Sequence, residues 1–195
     1  MKYDIEDLYP TPVYFSRAHN LDFIQDEIKL SIEKTEFQIN EEWNSHYLSD
    51  INFKQNILMD NPFEYFLMEL DYHIRQYAAE LNFTMRNYRV VESWISMFQK
   101  GNYGHIHSHG TSDLSGVYYY QTNEKDGNLF FECPVPNIPS SIIMYESNCR
   151  RWISPPSVGK IILFPGWLKH GIETNTTDDT RISLSFNIDF DRSMT

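Results

Sequence analysis

From Tyr88 to Phe190 the chain is written in short segments whose side chains alternate, separated by turn residues and uninterrupted by any helical repeat. Successive residues of a strand point to opposite faces, so such a chain buries its apolar half only by stacking one sheet on another. Val90, Glu92, Trp94, Ser96 and Phe98 face one way; Val91, Ser93, Ile95 and Met97 face the other. After a turn at Gly101-Asn102, the sequence predicts strands over 103–107, 114–121, 128–132, 141–145, 151–153, 160–164, 171–174 and 181–190. Lys125-Asp126-Gly127 is a turn, and the proline-rich 134–139 is a connection, because proline cannot donate to a central ladder. Short strands following one another without crossover helices predict an antiparallel jelly roll of two sheets.

The first 85 residues read differently. Pro10 and Pro12 exclude a helix interior, so 8–15 is expected as an extended arm, either an edge strand or a clamp across the core. Asn20 is placed to cap a helix over 21–37, and Asn61-Pro62 to begin a second helix ending near Leu81. The stretch 43–59 is irregular and expected to lie against the sheet. The fold class is therefore mainly β with supporting N-terminal helices: 1–85 as arm and helical support, 86–190 as jelly-roll core, and 1–195 as one domain.

Charge and motifs narrow the function. A formal net charge of −11, with no stripe of Lys and Arg, disfavours nucleic acid. Neither a signal core nor a membrane span is visible, so a cytoplasmic protein is expected, as monomer or homodimer. Cys133 and Cys149 fit neither a redox pair nor a zinc ribbon and are expected as free thiols. The sequons at Asn82 and Asn175 are read as chance. Phosphate-binding glycine loops, HExxH and GxSxG are absent.

His107-Ser-His109, with His105 two residues earlier, offers imidazoles on one face of an extended segment ending in a loop. Neutral imidazole is a good ligand for iron and zinc. On these residues alone the choice stays open between a metal site and a polar strand end. His170, just beyond the apolar strand that stops at Pro165, adds a third imidazole from a distant strand. Arg181 and Ser183 share a strand face, and guanidinium with hydroxyl suits a carboxylate.

These residues carry a resemblance. The stretch from about Trp94 to Phe190 resembles the double-stranded β-helix (jelly-roll, cupin-like) core of Fe(II)- and 2-oxoglutarate-dependent oxygenases. That pattern is HxD or HxE, a distal His, and then an Arg or Lys. Within the superfamily the chain is similar to small bacterial and phage-type proteins sharing Pro10-Thr-Pro12, His107-Ser-His109, Leu114-Ser-Gly-Val-Tyr-Tyr119 and Phe164-Pro-Gly-Trp-Leu-Lys-His170.

The resemblance implies Fe(II) held by His107 and His170, with His109 standing where relatives carry a carboxylate. It assigns the distal carboxylate of 2-oxoglutarate to Arg181 and Ser183, with Tyr119 and Tyr103 as further contacts and Trp167 at the rim. His109 either ligates or turns away, and His105 is a near-site residue or a competing ligand. The implied reaction is hydroxylation of a small molecule or an amino-acid or peptide side chain. Tyr145, Glu146, Asn148, Arg150 and Arg151 border the mouth or form a solvated loop. Two rivals remain: a three-histidine cupin-type metalloenzyme acting without 2-oxoglutarate, and a non-catalytic jelly-roll binding protein.

Overall fold

The computed structural model describes residues 10–39, 45–50, 56–135 and 151–192. Its strands are β1 (Tyr14–Arg17), β2 (Gln38–Ile39), β3 (Tyr47–Leu48), β4 (Tyr88–Phe98), β5 (Gly104–His107), β6 (Leu114–Gln121), β7 (Leu129–Glu132), β8 (Arg151–Ser154), β9 (Lys160–Pro165), β10 (His170–Ile172) and β11 (Arg181–Phe190). The helices are α1 (Leu21–Ile32), α2 (Ile57–Asp60) and α3 (Glu64–Glu80). Two sheets form, a larger one in the order β1-β9-β6-β11-β4-β3-β2 and a smaller one in the order β5-β10-β7-β8. All strand pairings in both are antiparallel. This is the antiparallel jelly roll of two sheets that the alternation predicts.

The larger sheet buries both faces, and the period of two divides its residues between them. Ile95, Tyr118, Ile161, Leu163, Leu184, Phe186 and Ile188 pack beneath the helices with Ile24, Ile28, Phe66, Leu70 and Ile74. Val117, Tyr119, Ile162 and Phe164 face the smaller sheet, meeting Leu129 and Phe131. Between the two sheets, the polar members of β4 and β11 line a cavity.

The arm is an edge strand, with β1 pairing β9 from Tyr14 opposite Leu163. Two helix boundaries differ from expectation. α1 stops at Ile32 instead of Phe37: the buried positions end at Ser31, whose carbonyl accepts the Thr35 hydroxyl at 2.7 Å, and the chain turns into β2. α3 begins at Glu64, and Asn61 instead closes α2 by donating to Ile57 O. Its N-terminal amides are capped from another helix, Glu27 accepting from Tyr65 N at 2.8 Å and Phe66 N at 2.9 Å. A carboxylate there satisfies orphan donors and complements the helix dipole, but nothing local in sequence announces it. The strand expected over 141–145 lies outside the described residues, as do Cys149 and the mouth candidates Tyr145, Glu146, Asn148 and Arg150. Cys133 is a free thiol.

Candidate active site

β10 pairs with β5 so that His170 stands directly opposite His107. His109 follows on the loop after β5, and the candidate ligand nitrogens of the three lie within 4.8 Å of one another. Ring centroids are 4.4 Å apart for His107 and His170, 4.9 Å for His107 and His109, and 5.3 Å for His109 and His170. Burial pushes His170 down to about 3 and His109 to about 4, and lowers His107 too, so all three imidazoles are neutral at pH 7. Neutral imidazole is the ligating form. The His109 loop is pinned by His109 N donating to Gly166 O at 2.7 Å. Residue 166 must be glycine, because a Cβ there would collide with Ser112 O and lie 2.7 Å from His109 O.

Arg181 is fully buried. It lines the same cavity of about 90 Å³ as His107, His109, His170 and Ser183. Nη1 donates to Gly127 O at 3.0 Å, while Nε and Nη2 have no hydrogen-bond partner among the described residues. The guanidinium carbon lies 4.9 Å from the Tyr119 ring centroid and 5.1 Å from that of Phe98. Tyr119 is fully buried, and its hydroxyl also lacks a partner among the described residues.

Asp126 does not neutralise Arg181: its carboxylate accepts from Thr122 Oγ1 at 2.7 Å and Asn123 N at 2.9 Å. Burial draws the guanidinium below its usual value despite the favourable fields of Tyr119 and Asp126, and burial raises the Tyr119 phenol. A buried cation without an ion pair costs several kcal/mol. Two N–H groups and a phenol without partners among the described residues have the chemistry to hold a carboxylate. Ser183 sits beside them, opposite Tyr119 on β6 and Ser96 on β4.

The sequence-derived set is therefore mostly brought together. His105 also lines the cavity, although its ring is exposed. Tyr103 is the exception: it is 37% exposed, packs edge-on against His105 at 4.9 Å and does not line the cavity. It precedes β5, so strand alternation never applied to it. Trp167 is 52% exposed on the turn after β9. Arg151 pairs with Glu132 at 3.4 Å and lies over the Phe130 ring, a role on the sheet surface.

Sequence reasoning missed His46 and Asn187. His46 stacks on Phe98 at 4.5 Å, bonds Ser45 Oγ through Nδ1 at 2.9 Å and lines the cavity. Burial, with the fields of His107, Arg181 and His105, lowers it to about 4. Asn187 approaches His109 Nδ1 at 3.3 Å. His46 lies in the irregular stretch before α2 and carried no pattern. Asn187 was findable, since it shares the alternation of Arg181 and Ser183 on β11.

A second histidine-carboxylate group, His19, Glu69 and His73, is a hydrogen-bonded clamp. Glu69 Oε1 accepts from His19 N at 2.9 Å, pairs with His19 Nδ1 at 2.7 Å and His73 Nε2 at 3.0 Å, and Tyr14 OH holds His73 Nδ1 at 2.8 Å. Both His73 nitrogens and the Glu69 oxygen are thus already used. The buried Asn175 is committed likewise, donating through Nδ2 to Phe98 O and Asp179 O, which orders the 174–180 loop.

Residues 92–187 match the family model described as "Putative 2OG-Fe(II) oxygenase". Over that stretch the chain is similar to 2OG-Fe(II) oxygenases. Solved structures agree on the fold. The non-heme alpha-ketoglutarate-dependent carbocyclase SnoK from nogalamycin biosynthesis superposes with a TM-score of 0.65 at 13% identity, covering 91% of this chain and 79% of SnoK. HygX from Streptomyces hygroscopicus, with nickel and 2-oxoglutarate bound, gives 0.64 at 11% identity over 93% and 84%. A prolyl-4-hydroxylase from Pseudomonas putida gives 0.63 at 11% identity over 93% and 94%. No curated protein sequence matches the chain. Among the described residues, no helix is long and apolar enough to cross a membrane.

The residues present fit the family's Fe(II) and 2-oxoglutarate. Clustered neutral imidazoles suit the metal, and the unpaired buried guanidinium with the orphaned phenol suits the far carboxylate of a short dicarboxylic acid.

Proposed function

We propose that this oxygenase hydroxylates a small molecule or an amino-acid side chain, using His107 and His170, with His109 beside them, for Fe(II), and Arg181, Ser183 and Tyr119 for 2-oxoglutarate. The observation that carries this reading is Arg181: a fully buried cation with two N–H groups unpaired among the described residues, in one cavity with three histidines. A three-histidine enzyme or a binding module that takes only neutral ligands has no use for that cation.

With dioxygen, the bound iron and co-substrate supply the oxidising power to turn C–H into C–OH, while 2-oxoglutarate becomes succinate and carbon dioxide. The chain's own residues position and insulate. His107 and His170 face each other across paired strands, so their separation is set by the ladder and not by loop mobility. Arg181 and Tyr119 donate to the far carboxylate and fix the co-substrate's direction. Phe98, Val117, Leu129 and Phe164 wall the cavity and keep water from the reacting centre. A small substrate agrees with similar structures such as HygX with hygromycin B bound and the prolyl-4-hydroxylase.

The test is anaerobic Fe(II) titration with and without 2-oxoglutarate, comparing wild type with Arg181→Ala. A visible charge-transfer band requiring both components, and weakened by the substitution, is expected. Stoichiometric iron binding with no such band would overturn the 2-oxoglutarate assignment.

A further inference from the structure

We propose that Asn187, anchored by Glu92, is a positioning residue that turns His109 into a hydrogen-bond donor facing the metal site, leaving His107 and His170 as the ligands among that group. The inference rests on the metal-centre reading above and concerns what each imidazole nitrogen carries.

His107 Nδ1 lies 2.7 Å from His105 O, and His170 Nδ1 lies 2.8 Å from Leu168 O. A carbonyl only accepts, so both Nδ1 atoms carry the proton. A neutral imidazole has one N–H, which puts the lone pair of each ring at Nε2. Outer partners of this kind fix ligating histidines in other metal sites.

His109 has the opposite environment. Its Nδ1 faces the Asn187 side-chain nitrogen at 3.3 Å. Asn187 is buried and stands in strand register opposite Glu92 on β4 and Ser115 on β6, forming one polar row across three strands. Glu92 Oε2 accepts from Asn187 Nδ2 at 2.8 Å, and Ser115 Oγ bonds Asn187 Oδ1 at 2.8 Å. The Ser115 hydroxyl serves either amide orientation, so it does not decide. The carboxylate does: turning the amide would set Oδ1 against Glu92, two acceptors at hydrogen-bond distance. Nδ2 therefore spends one hydrogen on Glu92 and the other on His109 Nδ1. An imidazole accepting at Nδ1 keeps its proton on Nε2, and a protonated Nε2 does not ligate. Recruiting His109 requires the amide to turn and Glu92 to release it, so the third protein position goes to a non-protein ligand.

Two measurements test this on the full chain. The first is the 15N-resolved tautomer of His109 in the metal-free protein, with Nδ1 unprotonated in wild type as the expected result. The second is Co(II) affinity. His107→Ala and His170→Ala weaken binding by about 100-fold or more, whereas His109→Ala changes it by less than about threefold. The isosteric Glu92→Gln offers Asn187 Oδ1 a donor and permits the turned amide. In that background His109 gains Nδ1–H, Co(II) binds about tenfold tighter, and a second substitution His109→Ala removes the gain. A wild-type His109 protonated at Nδ1, or His109→Ala as damaging as His107→Ala, overturns the proposal. Indifference of Co(II) to His107→Ala and His170→Ala defeats the metal-centre reading instead, and the tautomer measurement still decides this one.

Discussion

Replacing Arg181 by methionine separates co-substrate binding from fold stability, because the two respond with opposite signs. In the ligand-free protein the guanidinium is fully buried, makes one hydrogen bond to Gly127 O and leaves two N–H groups without partners among the described residues. Removing such a charge relieves a desolvation penalty of several kcal/mol. Against this stand the orphaned Gly127 carbonyl, at about 1–3 kcal/mol, and the lost contacts with the Phe98 and Tyr119 rings, at about 1–2 kcal/mol. The net expectation is a ligand-free variant at least as stable as wild type and up to about 3 kcal/mol more stable. For a domain of this size that is a rise in Tm of up to about 10 °C.

2-Oxoglutarate reverses the order. Losing two charge-assisted hydrogen bonds of about 1.5–3 kcal/mol each weakens its binding by about 3–6 kcal/mol, roughly 10²- to 10⁴-fold. At a concentration 100 times the wild-type Kd, wild type gains about 2.7 kcal/mol and the variant almost nothing. Urea unfolding with and without metal and 2-oxoglutarate reads both effects. A variant clearly less stable without ligand, yet still stabilised by 2-oxoglutarate as wild type is, refutes the view of Arg181 as a carboxylate receptor.

Glu69→Gln tests the clamp between the β1–α1 turn and α3, and should cost about 1.5–3 kcal/mol by urea unfolding at pH 7. Burial alone would raise the Glu69 carboxyl, but the His19 backbone and side-chain bonds outweigh it and hold it below its ordinary value. Its contribution is therefore complete above the ordinary Glu range of about 4.3 and fades as pH falls. The gap between wild type and variant should narrow below about pH 4.3, and a gap that widens there contradicts the linkage. Gly166→Ala drives a Cβ into Ser112 O and His109 O, so the His109 loop must shift. Overpacking of this kind costs about 1–3 kcal/mol, and calorimetry should show it. An unchanged Tm would mean that the loop yields freely.

That His107, His170 and Arg181 would stand together was legible because each closes a local pattern: an alternating strand running into a loop, an apolar strand stopping at proline, and two polar residues on one strand face. The sheet-rich class was legible for the same reason, since a period of two leaves no other way to bury the apolar side. Tyr103, given to the co-substrate by the resemblance, lies one residue before β5 and outside the cavity lining. The start of α3 slipped because a distant group, Glu27, caps it, and the Glu69 clamp takes the side chain of Asn20 although α1 still begins at Leu21.

Register was the part that only tertiary structure decided. His107 opposite His170, Tyr119 opposite Ser183, and the row Glu92, Asn187 and Ser115 all depend on which residue of one strand meets which of another. One residue of slip would send each to the other face. Local sequence sets the period of a strand, whereas long-range packing sets its phase. The kinds of side chain this chain offers were therefore fixed by sequence alone, and which neighbour each imidazole nitrogen faces was decided only by folding.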